Sequence, residues 1–460
     1  MHKLLTTWAA VLSFAVTTAA VAAQGTTLDD VAADGAPLPL GTSTSPINTA
    51  SGTTLICNWR PANGTPTAST PPGSMRWGYI DLAAGYWQLI LSPFFPAGTT
   101  FKLEGQYPSA RNFSFQLYDG AGVGLASLTD YELQPDSGSQ SPFDVVNDLD
   151  TAIQPGGHYT VYLVYGAAPA QPAPNTIYID ASKFSAGSQA VLIYRVYNSF
   201  GSGSIVNYGD EPLPAAYEVT TKGTVPLSAL DNTLACNSGI GLRDGMRRVR
   251  ASLVDQIFAK PLAPQAIAAK PVPAAPVFQL RDNPSDVLAN SDTRYIYVTL
   301  SQTKGDLVLM RARAPTYATG PNAGSDPQLR HWSVCENALW TVETYACIED
   351  SDAAIDGDGF FNIVISVPTK KPANATHAYS FDWLPFGTCL AGTPIFRHML
   401  ASPNFTQSAF QMPTGKASEA PQIMGDYFPQ ATYCASSVFA AHTGNKETPA
   451  QVFAACAAGQ

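Results

Sequence analysis

Charge is scarce in this 460-residue chain: Asp, Glu, Lys and Arg together make up 13% of it. What charge there is leans acidic, with 25 Lys and Arg against 35 Asp and Glu and a formal net charge of −10. No long basic run offsets that balance. Such a surface repels nucleic acid and anionic lipid, so neither is an expected partner. Long apolar runs are also missing. Beyond the first two dozen residues no stretch approaches eighteen apolar positions, so no membrane span is expected. Long helical patterns are few, whereas glycine, proline and tyrosine are plentiful (36, 37 and 20 residues). That mixture favours short strands and many turns. Familiar catalytic signatures are absent too. The chain has no G-x-S-x-G elbow, no H-E-x-x-H, no C-x-x-C and no glycine-rich phosphate loop. Ser301-Gln302-Thr303-Lys304 fits S-x-x-K in form, but its partner motifs are lacking and it is read as coincidence.

The N-terminus has the layout of a secretory signal. Lys3 precedes the run WAAVLSFAVTTAAVAA, which ends in the small residues Ala22 and Ala23. Residues 1–23 are therefore expected to be removed, leaving 24 basic against 35 acidic side chains, a balance of −11. Export permits disulfides, and all seven cysteines lie in the exported part. Cys335 and Cys347 would close a short loop, and Cys434 and Cys456 would tie down the tail. Cys57, Cys236 and Cys389 remain, and the connectivity stays open.

Residues 24–74 are rich in Thr, Ser, Pro and Gly and read as an extended lead-in. A first domain spans 75–225, with aromatic and β-branched residues at period two in 86–94, 99–107, 112–119, 159–166 and 190–197. Residues 226–289 form a connector. Within it Met246, Val249, Leu253, Ile257 and Phe258 fall at helical spacing over 243–259, opposite Arg247, Arg248 and Arg250. A proline-alanine linker follows over 260–276. A second domain spans 290–405, and a tail covers 406–460.

The two domains echo each other. Pro108, Arg111, Asp130, Asp136, Pro169, Asn175 and Arg195 recur as Pro315, Arg330, Asp350, Asp356, Pro368, Asn374 and Arg397. The Asp130-to-Asp136 and Pro169-to-Asn175 steps equal those of the second set. The second copy also carries His331-Trp332-Ser333, the loop acid Asp350, Asp356-Gly357, Trp383-Leu384-Pro385 and the final-strand Arg397. With these elements it resembles a family of bacterial exported β-sandwich (jelly-roll) domains of unknown function, over about 290–405 and more weakly over 86–200. The resemblance implies a fold and no activity. The expected architecture is all-β: two tandem β-sandwich (jelly-roll-like) domains joined by a short helix and a Pro/Ala-rich linker.

Four groups of residues are candidates for chemistry. Arg111 with Asp130, and Arg330 with Asp350, are expected to pair within each copy as structural ion pairs, because a feature kept in both copies serves the shared fold. Asp350, Asp352, Asp356 and Asp358 offer oxygen ligands suited to calcium, although their spacing does not match an EF-hand and a solvated hairpin turn is the simpler reading. His331 and His398 each follow an Arg on a strand. If those strands pair, both imidazoles share one face with Glu349 as an acid–base site. Trp59, Trp77, Trp87 and Tyr107 are candidate stacking surfaces for a flat ligand, with core packing as the alternative. Together these point to an exported binding protein whose ligand stays open, a glycan among the candidates and no cofactor required. The alternative is a hydrolase or lyase acting on an exported polymer through the second domain.

Overall fold

Period-two alternation in the chain becomes strands. The computed structural model describes residues 78–143, 157–186, 188–199, 209–227, 275–281, 288–318, 327–339, 343–387, 391–413 and 415–459, with backbone only at 47–49, 52–54 and 57–61. The secretory run, most of the lead-in, the 243–259 segment, most of the linker, Trp77, Cys236, Cys389 and the side chains of Trp59 and Cys57 lie outside the described residues.

The strands of the first unit are β1 (Ile47–Thr49), β2 (Gly52–Thr54), β3 (Cys57–Pro61), β4 (Ala84–Leu91), β5 (Thr100–Gln106), β6 (Ala110–Tyr118), β7 (Gly124–Thr129), β8 (His158–Tyr165), β9 (Thr176–Ile179), β10 (Ala190–Ser199), β11 (Ala215–Thr220) and β12 (Gly223–Pro226). Those of the second are β13 (Gln279–Arg281), β14 (Thr293–Tyr297), β15 (Leu300–Ser301), β16 (Leu307–Arg313), β17 (Leu329–Asn337), β18 (Thr344–Glu349), β19 (Phe360–Ser366), β20 (Asp382–Pro385), β21 (Ala391–Gly392), β22 (Ile395–Ala401) and β23 (Gln430–Cys434). Three helices follow in the tail: α1 (Ala420–Met424), α2 (Ser436–Gly444) and α3 (Pro449–Ala458). The protein is all-β in its body.

Each unit has two main sheets. In the first, β3-β4-β10-β6-β7 faces β12-β11-β5-β8-β9; in the second, β13-β14-β22-β17-β18 faces β20-β19-β16-β23. The strand orders correspond, and among the described strands a parallel pair, β8–β9 and β19–β20, falls at the same place in each unit. Trp87, Leu89, Phe101, Leu103, Phe113, Phe115, Val161 and Leu192 fill the first core. Ile296, Met310, Trp332, Val334, Phe361, Ile363 and Phe396 fill the second.

The two inner sheets pack on each other. Ala84, Tyr86, Tyr118, Val191, Ile193 and Tyr197 of the first unit cluster there with Met399 and Leu400 of the second. Strands β4 and β6 are consequently buried at every described position, as is β17. Both faces of these strands are buried, yet β6 and β17 carry polar and charged residues there: Arg111, Asn112, Ser114 and Gln116 in β6, and Arg330, His331, Ser333, Glu336 and Asn337 in β17. The outer strand β5 keeps strict alternation because one of its faces is solvated.

The two outer sheets end differently. In the second unit, α2 and α3 lie over the outer face, where Leu307, Leu309, Val364 and Phe381 pack against Phe439 and Val452. A disulfide between Cys434 and Cys456 ties α3 to β23, and a second joins Cys335 and Cys347, which stand directly opposite each other on β17 and β18. Among the described residues, no helix is long and apolar enough to cross a membrane.

Candidate functional site

Arg111 and Arg330 stand near the starts of β6 and β17, and Asp130 and Asp350 directly follow β7 and β18, so these four side chains meet between the units. They pair across the repeat rather than within it. Arg111 Nη1 donates to Asp350 Oδ1 at 2.5 Å, and Arg330 Nη1 donates to both oxygens of Asp130 at 2.5 and 2.6 Å. The within-copy pairing expected from the sequence is thus replaced by a crossed one. Each aspartate is held by its own unit instead. Asp130 accepts from the Phe113 backbone N–H and from Asn112 Nδ2, and Asp350 accepts from the Trp332 backbone N–H and contacts His331 Nδ1 at 3.1 Å. All four ionic residues are buried. Charges so placed are tolerable only because every one is paired.

His331 completes this layer. Its Nε2 lies 3.4 Å from Asp81 Oδ2, and Ser333 Oγ donates to the same oxygen at 2.6 Å. Burial alone would lower the imidazole, but Asp350 and Asp81 outweigh it and raise its pKa to about 9. Burial would likewise raise Asp350, yet His331 and Arg111 hold it below the ordinary carboxylate value. Asp350 and His331 therefore face each other as ions.

The expected His331–His398–Glu349 site does not assemble. Strands β17 and β22 do pair, but His331 stands opposite Met399, and His398 stands opposite Trp332. The offset of one residue sends the two imidazoles to opposite faces of the sheet. His398 lies in the second core beside Phe396 and Phe405, where burial lowers its pKa to about 3, and its Nδ1 accepts from the Ala409 N–H. Glu349 accepts from Asn198 Nδ2 across the interface at 2.6 Å.

The acidic loop is a built turn. Asp356 Oδ1 accepts from the backbone N–H groups of Asp358 and Phe360, its Oδ2 accepts from Asn362 Nδ2, and Asp350 is committed to Arg111. Asp352 and Asp358 point outward. The four acids named for calcium do not converge. Among the described residues, the one close group of three potential ligand atoms is Asp81, Cys335 and Cys347, and both of its sulfurs are in a disulfide.

The aromatic candidates also separate. Trp87 is buried against Tyr194, and Tyr107 is buried with its hydroxyl donating to the Leu133 carbonyl. Both are core residues, which removes them from any stacking surface. Exposed rings occur elsewhere, on the outer face of β11-β5-β8-β9. There Tyr217, Lys102, Tyr162 and Thr176 stand in one row across four strands, and Val219, Thr100, Val164 and Tyr178 form the next. Tyr162 is 40% exposed, and Tyr178 and Tyr217 are partly exposed. The Lys102 ammonium lies over the Tyr217 ring at 5.1 Å and is paired with Glu104. The equivalent row of the second unit, Thr432, Leu309, Val364 and Trp383, is the one beneath the C-terminal helices. In the sequence these tyrosines differ from core tyrosines only in alternating with the apolar set Tyr159, Val161, Leu163 and Tyr165, so strand parity was the one signal for them.

No family model matches the chain, and no curated protein matches it. Among solved structures it is similar to an uncharacterized protein from Burkholderia cenocepacia, at 13% identity over 78% of this chain and 79% of that one, with a TM-score of 0.43. A protein from Vibrio parahaemolyticus is 12% identical over 77% and 89% of the two chains, with a TM-score of 0.34. The BSP domain of a biofilm associated protein is 8% identical over 80% and 53%, with a TM-score of 0.20.

Proposed function

We propose that this chain is an exported binding protein, built from a duplicated jelly-roll-type sandwich, that holds a glycan on the outer sheet of its first unit. The observation that carries this reading is the open tyrosine face. Corresponding sheets in the two units have been given opposite surfaces. One is apolar and roofed by helices; the other presents tyrosine rings among threonine, lysine and glutamate. Sugar rings pack their C–H faces on such side chains while the polar neighbours take up hydroxyls. Export is supported by the N-terminal run and by the two disulfides. Duplication is supported by the shared strand order and by matched backbone detail. Asn198 and Leu400, at corresponding ends of β10 and β22, both adopt positive φ, 47° and 45°. Asp136 and Asp356 occupy equivalent turns, accepting from Thr160 Oγ1 and Asn362 Nδ2 respectively. No observation favours the hydrolase reading, since its imidazoles lie on opposite faces of one sheet.

The test is a thermal-shift screen of the mature protein against soluble polysaccharides. A ligand that binds only the folded state raises the melting temperature, and the shift grows with the logarithm of its free concentration above Kd. Tyr162→Ala is expected to abolish the shift and leave the unliganded melting temperature within a degree or two. A shift that survives Tyr162→Ala and Tyr217→Ala together places the ligand elsewhere and overturns the reading.

A further inference from the structure

We infer that the tyrosine face takes a neutral, extended, β-1,4-linked glycan that runs across the strands, with alternate rings seated on Tyr217 and Tyr162. This inference rests on the glycan-binding reading and specifies its ligand. The spacing comes from the register. Tyr217 pairs with Lys102, and Lys102 with Tyr162, so the two rings are separated by one intervening strand. Two strand widths amount to roughly 9–10 Å. In a β-1,4-linked chain each ring is turned over relative to the last, so every second ring offers the same face to a plane. Its two-ring repeat matches two strand widths. An α-1,4-linked chain coils away from a plane and meets one tyrosine at most.

The charge balance argues for a neutral polymer. Lys102 is the basic group of the row, and Glu104 on the same strand face neutralises it. A polyanion would have to break that pair and approach the glutamate. The hydroxyl chemistry suits a sugar. Thr100 Oγ1 donates to the Gly98 carbonyl, Thr160 Oγ1 to Asp136, and Thr176 Oγ1 to the Pro174 carbonyl. Their protons are engaged, so their free lone pairs are set to accept from sugar hydroxyls. Tyr178 is the reverse case: its hydroxyl accepts from the Ala173 N–H and keeps its own proton to donate. Two tyrosine rings in one row, flanked by acceptors and one donor, suit a polyhydroxylated ligand.

Isothermal titration of the full mature chain with oligosaccharides of two to six units separates the possibilities. The probes are the β-1,4-linked glucose, xylose and N-acetylglucosamine series, the α-1,4-linked glucose series and polygalacturonate. At least one β-linked series is expected to bind, with affinity rising about tenfold or more between the dimer and the tetramer as the second tyrosine is engaged. Tyr217→Ala is expected to return the tetramer to the dimer's affinity, and Tyr217→Phe to keep the step. Equal binding of α- and β-linked tetramers, no length step, or tighter binding of polygalacturonate would each overturn the neutral linear ligand. In those cases loss of binding in Tyr162→Ala would still uphold a glycan site on this face. Failure of every probe to bind overturns both.

Discussion

At the scale of the residue, the second unit places two histidines one position apart in paired strands and gives them opposite electrostatics. His331 sits between two carboxylates and is held charged; His398 sits among phenylalanines and is held neutral. The sequence shows two strand histidines each following an arginine, and strand pairing alone would bring them together. What it does not show is register, and a shift of one residue exchanges the faces. A stability consequence follows for His331. Its folded pKa of about 9 lies above its unfolded value, so its contribution is fully present below about pH 6.5 and is lost as pH rises through about 9. That contribution is on the order of 3 kcal/mol. Chemical denaturation between pH 6 and pH 10 is expected to show wild-type stability falling across this window. His331→Gln should be less stable at pH 6 and should lack that fall.

Glu336 makes the complementary case. It is buried in the second unit, neither side-chain oxygen has a hydrogen-bond partner, and burial pushes its carboxyl well above the usual range. The folded chain therefore binds a proton that the unfolded chain releases as pH rises beyond about 4.5, and each further unit of pH weakens the fold. Glu336→Met keeps the length and removes the acid. Its melting temperature is expected to exceed wild type, with a larger gain at pH 8 than at pH 5. A loss at both pH values would mean that the carboxyl is satisfied in solution.

At the scale of the element, the longer strands, inner and outer alike, were legible from aromatic and β-branched residues at period two. The short strands β7, β9, β18 and β20 were not, because four to six residues of mixed polarity carry too little periodicity. The ionic residues of the repeat were legible as a set. Their partners were not, because sequence spacing cannot distinguish a bond within a unit from one between units. The crossed arrangement changes what a substitution should do. Removing Arg330 strands Asp130, which belongs to the other unit, at a cost of about 3–5 kcal/mol. A double-mutant cycle should find a coupling of roughly 2–3 kcal/mol between Arg330 and Asp130 and a much smaller one between Arg111 and Asp130. The opposite ranking would restore the within-copy pairing.

At the scale of the whole molecule, the interface joins the units as a second core does. Arg397 donates to the Tyr79 carbonyl, Thr129 to Asp292, Tyr118 to the Ala289 carbonyl, and Tyr79 to the Leu339 carbonyl, each bond crossing between distant parts of the chain. Neither unit can unfold without exposing the other's buried ions. Scanning calorimetry is expected to give one cooperative transition, and Arg330→Ala should shift it downward as a whole instead of splitting it. Two transitions in the wild type, widely separated in temperature, would show that the units melt independently.

The helical roof on one outer sheet has a further consequence for valency. A duplicated fold would ordinarily give two equivalent ends, and two ends that grip a polymer act as a cross-linker. Here α2 and α3 close one end, and the Cys434–Cys456 staple keeps it closed. On the proposed glycan-binding reading, the molecule is left with a single binding face and a blind one. It should coat a fibre without bundling it, and its affinity should be the same whether the glycan is free in solution or densely displayed on a surface.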